Sequence, residues 1–86
     1  MRHFYSEIDS ISLTFCDIAE NKDGMEMINL HFERPREGGF DFLDTTLPVL
    51  IPEKSYGFSE LEIERLLRYA RNNAPLIWDI AREDGE

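Results

Sequence analysis

The sequence predicts an α+β fold: an antiparallel β-meander of three to four strands, followed by one broken or two consecutive C-terminal helices packed on one sheet face. Three observations carry this. Apolar residues alternate with polar ones at a period of two in the first two thirds of the chain. A capping box, Ser59-Glu60-Leu61-Glu62, then marks a helix start, with Phe58 and Ile63 at the positions of a hydrophobic staple. Beyond it the apolar residues recur at helical spacing. Residues 1–86 therefore read as one small α+β domain, with a strand region at 1–57 and a helical region at 58–86.

Ile11, Leu13 and Phe15 alternate with Ser12, Thr14 and Cys16, which predicts a half-buried strand. Residues 4–8 extend it or form a short preceding strand. Glu20 to Gly24 reads as a turn, because Asp23-Gly24 supplies local hydrogen bonding and a positive φ. In the next strand Ile28, Leu30 and Phe32 alternate with Asn29, His31 and Glu33. Placing Ala19 opposite Glu26 sets Phe15 against Leu30 and Leu13 against Phe32 on one face. Cys16 then meets Asn29, Thr14 meets His31 and Ser12 meets Glu33 on the other. A one-residue slip would mix the two sets, so the pattern specifies its own parity.

Pro35 to Gly39 is a second turn. A third strand follows to about Thr46, with Phe40 and Phe42 expected in the core. Leu47 to Ile51 is apolar but bracketed by Pro48 and Pro52, and is expected as an edge strand or an extended connector. The helix from Ser59 carries Ile63, Leu66, Leu67 and Ala70 on one stripe. Its early glutamates and later arginines complement the helix dipole, and Glu64 and Arg68 have favourable i,i+4 spacing. Pro75 lacks an N–H and clashes with the carbonyl of Arg71, which predicts a break: helices at 59–72 and 75–83, with a single kinked helix as the alternative. The expected core is Ile11, Leu13, Phe15, Ile28, Leu30, Phe32, Phe40, Phe42, Ile63, Leu66, Leu67, Ala70, Ile77 and Trp78.

Charge and composition narrow the functional classes. Eighteen acidic and nine basic residues give a net charge of −9, spread along the chain. That balance disfavours nucleic-acid backbones and anionic membrane surfaces, and suits a basic partner. No segment approaches the roughly 18–20 apolar residues of a membrane span. The single cysteine, Cys16, precludes an internal disulfide, and no apolar leader opens the chain. The cytoplasm is the expected compartment.

Candidate chemistry is sparse. His31, Glu33 and Asn29 share a strand face with Cys16 and Thr14 opposite, a set that could ligate a metal or pair a thiolate with an imidazole. No Cys-x-x-Cys or His-x-x-x-His spacing accompanies it. Asp17, Asp41 and Asp44 are carboxylates without a predicted shared pocket. Gly38-Gly39 precedes a strand rather than a helix, which excludes phosphate-cradling loops. No catalytic set, cofactor or metal is therefore predicted. The sequence points instead to a non-catalytic interaction module that binds a partner protein or itself as a homo-oligomer. The candidate interaction surface is Leu76, Trp78 and Ile80, which exceed one apolar stripe, together with Arg65, Arg68 and Arg71 on the helix exterior. The bare sheet face is the second candidate. The alternative is a small metal-binding or enzymatic domain using the Cys16, His31 and Glu33 face.

Overall fold

The computed structural model describes residues 1–84. Its elements are β1 (Arg2–Ile8), β2 (Ile11–Cys16), β3 (Ala19–Glu20), β4 (Glu26–Arg36), β5 (Gly39–Leu47), β6 (Lys54–Tyr56) and α1 (Glu60–Asp84). The fold is α+β, an antiparallel sheet with one C-terminal helix packed on it. The order across the sheet is β1-β2-β4-β5-β6, and β3 pairs separately with β4. The sheet thus has six strands instead of three to four.

Of the two readings of residues 4–8, the separate preceding strand is the one found, and it is set off by the Asp9-Ser10 turn. Both residues have positive φ, 53° and 67°, and Ile8 pairs with Ile11 across them. A two-residue hairpin with both central residues in the left-handed region matches the twist of its strands. Aspartate tolerates that region, so a tight turn forms here without glycine. In the next loop the Asn21 side chain accepts from the N–H groups of Asp23 and Met25, and Gly24 sits at φ 78°.

Between β2 and β4 the register matches the expectation: Leu13 pairs with Phe32, Thr14 with His31 and Phe15 with Leu30. The short β3 is offset by one, with Ala19 opposite Met27 instead of Glu26. In β1 the register shifts between Phe4 and Ser6, which leaves Tyr5 as a bulge. Its hydroxyl donates to Asn73 Oδ1 at 2.7 Å.

The parity of β5 corrects the predicted core. Arg36 pairs with Gly39 around the two-residue turn Glu37-Gly38, so Phe32 faces Leu43 and Glu33 faces Phe42. Asp41, Leu43, Thr45 and Leu47 point under the helix, whereas Phe40 and Phe42 share the opposite face with His31. Phe40 is 50% exposed. Of the remaining expected strand core, Leu13, Phe15, Ile28, Leu30 and Phe32 are each buried, and Ile11 is partly buried against them. Full burial of such side chains stabilises by about 1.5–3 kcal/mol apiece. Leu43, Leu47, Leu50 and Phe58 complete the core. The segment after Leu47 is a connector, not an edge strand. It begins with a cis Leu47–Pro48 bond, and Leu50 N–H donates to Thr46 O. The edge strand beside β5 is β6, and β1 forms the opposite edge.

The helix is also corrected: residues 60–84 form one helix, with Pro75 inside it. Proline removes the N–H that would have bonded the Arg71 carbonyl. Both Arg71 and Pro75 lie on the exposed side, where water can serve that carbonyl. Meanwhile Ala70, Ile77 and Ala81 are buried, and Ala74 and Trp78 pack against the core. Burial of this continuous stripe outweighs the local cost. No helix among the described residues is long and apolar enough to cross a membrane.

Replacing Pro75 with Ala should restore the missing donor without altering the buried stripe. The expected outcome is an unfolding free energy raised by about 1–3 kcal/mol in urea titration.

Candidate functional site

The helix covers one face of the sheet and leaves the other bare. Strand register places Arg2 and Phe4 of β1, Thr14 and Cys16 of β2, His31 and Glu33 of β4, Phe42 and Asp44 of β5, and Lys54 and Tyr56 of β6 on that open face. A shallow cleft of about 260 Å³ crosses it, lined among others by Arg2, Cys16, His31, Asp44 and Lys54.

His31 is the centre of this face. Its Nδ1 lies 2.5 Å from Asp44 Oδ1 and its Nε2 lies 3.0 Å from Glu33 Oε1. Phe42 stacks beside the ring, with centroids 6.1 Å apart and planes inclined by 15°. The two ring nitrogens point away from each other, so the two carboxylates sit on opposite sides of the imidazole and do not converge. Among the described residues no three His, Cys, Asp or Glu side chains are placed to hold one ion. Cys16 shares the cleft but makes no hydrogen bond to His31. The geometry therefore brings His31 and Glu33 together and leaves Cys16 apart. The sequence reading missed Asp44 and Phe42 as partners of His31. Setting Glu37-Gly38 as a two-residue turn would have put both beside it.

Aromatic side chains surround this centre. Phe42 and Tyr56 are cross-strand partners, and Phe40 lies two residues along the same face. Tyr56 is 68% exposed, and Phe4, on the far edge, 65%. Large exposed aromatics on one uncovered face are unusual for a small monomer.

The helix residues singled out from the sequence lie on the other side of the molecule. Leu76 is 57% exposed and shares the outward stripe with Arg65 and Arg68. Arg71 is exposed beside them. Trp78 and Ile80 instead pack against the core, and the Arg82 guanidinium lies 5.2 Å from the Trp78 ring centroid. No Glu64–Arg68 ion pair forms among the described residues.

On the covered side a charge cluster ties β4 and β5 to the helix start. Asp41 points inward from β5 and is 4% exposed. Arg34, its partner across the ladder, donates to Asp41 Oδ2 from Nε at 2.9 Å and from Nη2 at 2.7 Å. Arg36 donates to the same oxygen at 2.5 Å. The Arg34 Nη1 donates to Glu62 Oε2 at 2.6 Å. Glu62 in turn completes the capping box: its Oε1 accepts from Ser59 N–H at 2.9 Å, and Ser59 Oγ accepts from Glu62 N–H at 3.1 Å. Arg36 and then Arg34 hold the Asp41 carboxyl below its usual range, against the effect of burial. Arg34, then the Ser59 N–H, holds Glu62 lowered to about 2. The cap was legible from spacing, but its link to Arg34 was not.

Compared with models of known protein families, with curated proteins and with solved structures, the chain matches none.

Two outcomes follow from the cluster. Gly57 has φ 85°, and a Cβ there would overlap the Asp41 carboxylate. Gly57→Ala should therefore lower unfolding free energy by about 2–4 kcal/mol in urea titration. The second concerns acid. Glu62 and Asp41 have depressed folded-state pKa values, so their stabilisation is complete above the unfolded values. It is lost as pH falls from about 4.5, the ordinary Glu62 value, toward about 2. Urea midpoints should decline across that window, and Glu62→Gln should flatten the decline.

Proposed function

We propose that this chain is a non-catalytic protein-interaction module whose contact surface is the open sheet face, docking a partner protein or a second copy of itself. The observation that carries the reading is the aromatic set Phe40, Phe42 and Tyr56, with Phe4 beyond it, on a face that no element among the described residues covers. Aromatic residues contribute much of the energy of protein interfaces, because each buries a large rigid area at low entropic cost. The His31, Glu33 and Asp44 centre and the Lys54 ammonium supply polar groups among those rings. The net charge of −9 favours a basic partner over an acidic one.

Geometry also weighs against a catalytic use of this face. Both His31 nitrogens are engaged by carboxylates, so the ring is not free to activate Cys16. The outward helix stripe with Leu76, Arg65, Arg68 and Arg71 is a second surface of the same kind. It offers one exposed apolar side chain among charges and ranks behind the sheet.

The double variant Phe40→Ser, Tyr56→Ser tests the reading. Both side chains are at least half exposed, so stability should change by no more than about 0.5 kcal/mol. Sedimentation of the wild-type chain should show a dimer, or affinity capture should retain a defined partner, and the double variant should lose that association. A wild-type chain that stays monomeric at high concentration and retains no partner removes the proposal.

A further inference from the structure

A second cleft lies on the covered side of the sheet, independent of the open face. It has a volume of about 300 Å³ and sits between the β1–β2 hairpin and the first half of α1. That volume falls at the lower end of ligand pockets, about 300–1,000 Å³. Two polar contacts border the space. At one end Arg34 bonds Glu62 at 2.6 Å, holding the helix start over β4 and β5. At the other, Ser6 Oγ and Tyr69 Oη lie 2.8 Å apart and hold the helix to β1.

Between these contacts the surface is apolar. Leu13 and Phe32 form a buried floor. Ile8, Ile11 and Leu66 form the walls, and they are not closed over: Ile8 is 51% exposed, and Ile11 and Leu66 are half-buried. An apolar ligand would remove this area from water.

The polar groups at the rim decide the charge of that ligand. Arg65 is exposed and makes no ion pair among the described residues. Arg34 uses three of its N–H groups in the bonds to Asp41 and Glu62, which leaves two of its five unassigned. Of the Ser6 and Tyr69 hydroxyls one must donate to the other, so one proton is spare. Against these donors stand two carboxylates. Glu62 is committed, with one oxygen on Arg34 and the other on Ser59 N–H. Asp9 is exposed in the hairpin turn. The rim therefore has a surplus of donors, which an anionic acceptor would satisfy and a cation would not.

We propose that this cleft binds a small amphipathic monocarboxylate, with its hydrocarbon body against Ile8, Ile11 and Leu66 and its carboxylate on Arg65. The site does not depend on the open-face reading, and neither outcome there bears on it.

The probes are octanoate, octylammonium and acetate, titrated into the isotopically labelled full chain and followed by amide chemical shifts. Octanoate should produce saturable shifts at residues 8, 11, 66 and 69, with a Kd on the order of 1 mM for a ligand this small. Acetate lacks the apolar body and should leave those amides unmoved. Arg65→Gln should weaken octanoate about tenfold, the loss expected for one charge-assisted contact. Ile8→Ser, which removes a wall but no charge, should weaken it as well. Since both side chains are exposed, the amide spectra of the free variants should otherwise keep the wild-type pattern. The proposal is overturned if octanoate gives no saturable shift at these residues. It is equally overturned if octylammonium matches octanoate there, or if Arg65→Gln binds octanoate as the wild type does.

Discussion

The inward-facing Asp41 carboxylate is the constraint on which the rest of the structure depends. A carboxylate at 4% exposure is tolerable only when cations and donors surround it. Arg34 and Arg36 supply three hydrogen bonds to one of its oxygens. Arg34 has a further N–H for Glu62, and Glu62 closes the cap of the helix. Strand pairing, turn geometry and helix start are therefore one unit. Phe58 belongs to it as well: it is buried in the core with the Arg34 guanidinium 4.6 Å from its ring centroid. Gly57 is drawn in by exclusion, because no side chain fits between its backbone and Asp41.

The same constraint shapes the outer surface. With Asp41 inside, alternation puts Phe40 and Phe42 outside. The opposite parity would bury two phenylalanines and expose an aspartate, which looks better on hydrophobicity alone. It would also turn Leu43, Thr45 and Leu47 out of the core and carry Asp44 in, away from His31. The β4–β5 pairing resolves the competition over its full length of nine residue pairs, beginning at a two-residue turn that allows no slip. Aromatic exposure on the open face is thus a consequence of register, and the uncovered face inherits it.

How far the sequence is legible follows from which signals are local. The Leu13–Phe32 and Phe15–Leu30 pairings were readable because both strands alternate cleanly and a slip would mix polar with apolar. The cap at Ser59 was readable because its spacing is a local motif. Whether residues 4–8 extend β2 or form a strand of their own was open in the sequence because the turn between them lacks glycine and relies on aspartate and serine in the left-handed region. The β5 parity was misread because Phe40 and Phe42 outweigh Leu43 and Leu47 on hydrophobicity, and the Arg34–Asp41 contact that decides it is not visible locally. Pro75 was overread for a related reason: its penalty is local, whereas the stripe that offsets it is completed by the sheet. His31 and Glu33 were identified together on one face, but Asp44 and Phe42 depended on that same misread parity.

The two candidate surfaces differ in how the fold makes them. The open face exists because a single helix can cover only one side of a sheet, and its ring cluster is set by strand register alone. The cleft under the hairpin exists because the helix is held to the sheet by two separated polar contacts, Arg34–Glu62 and Ser6–Tyr69, with Tyr5–Asn73 one turn further on. The bulge at Tyr5 returns Ser6 to the covered face, where it meets Tyr69. Without that extra residue, Ser6 would stay on the open side with Phe4, and the hairpin would lose its hydrogen bond to the helix. A single inserted residue in β1 therefore separates the two surfaces, directing Phe4 to the open face and Ser6 to the rim of the cleft.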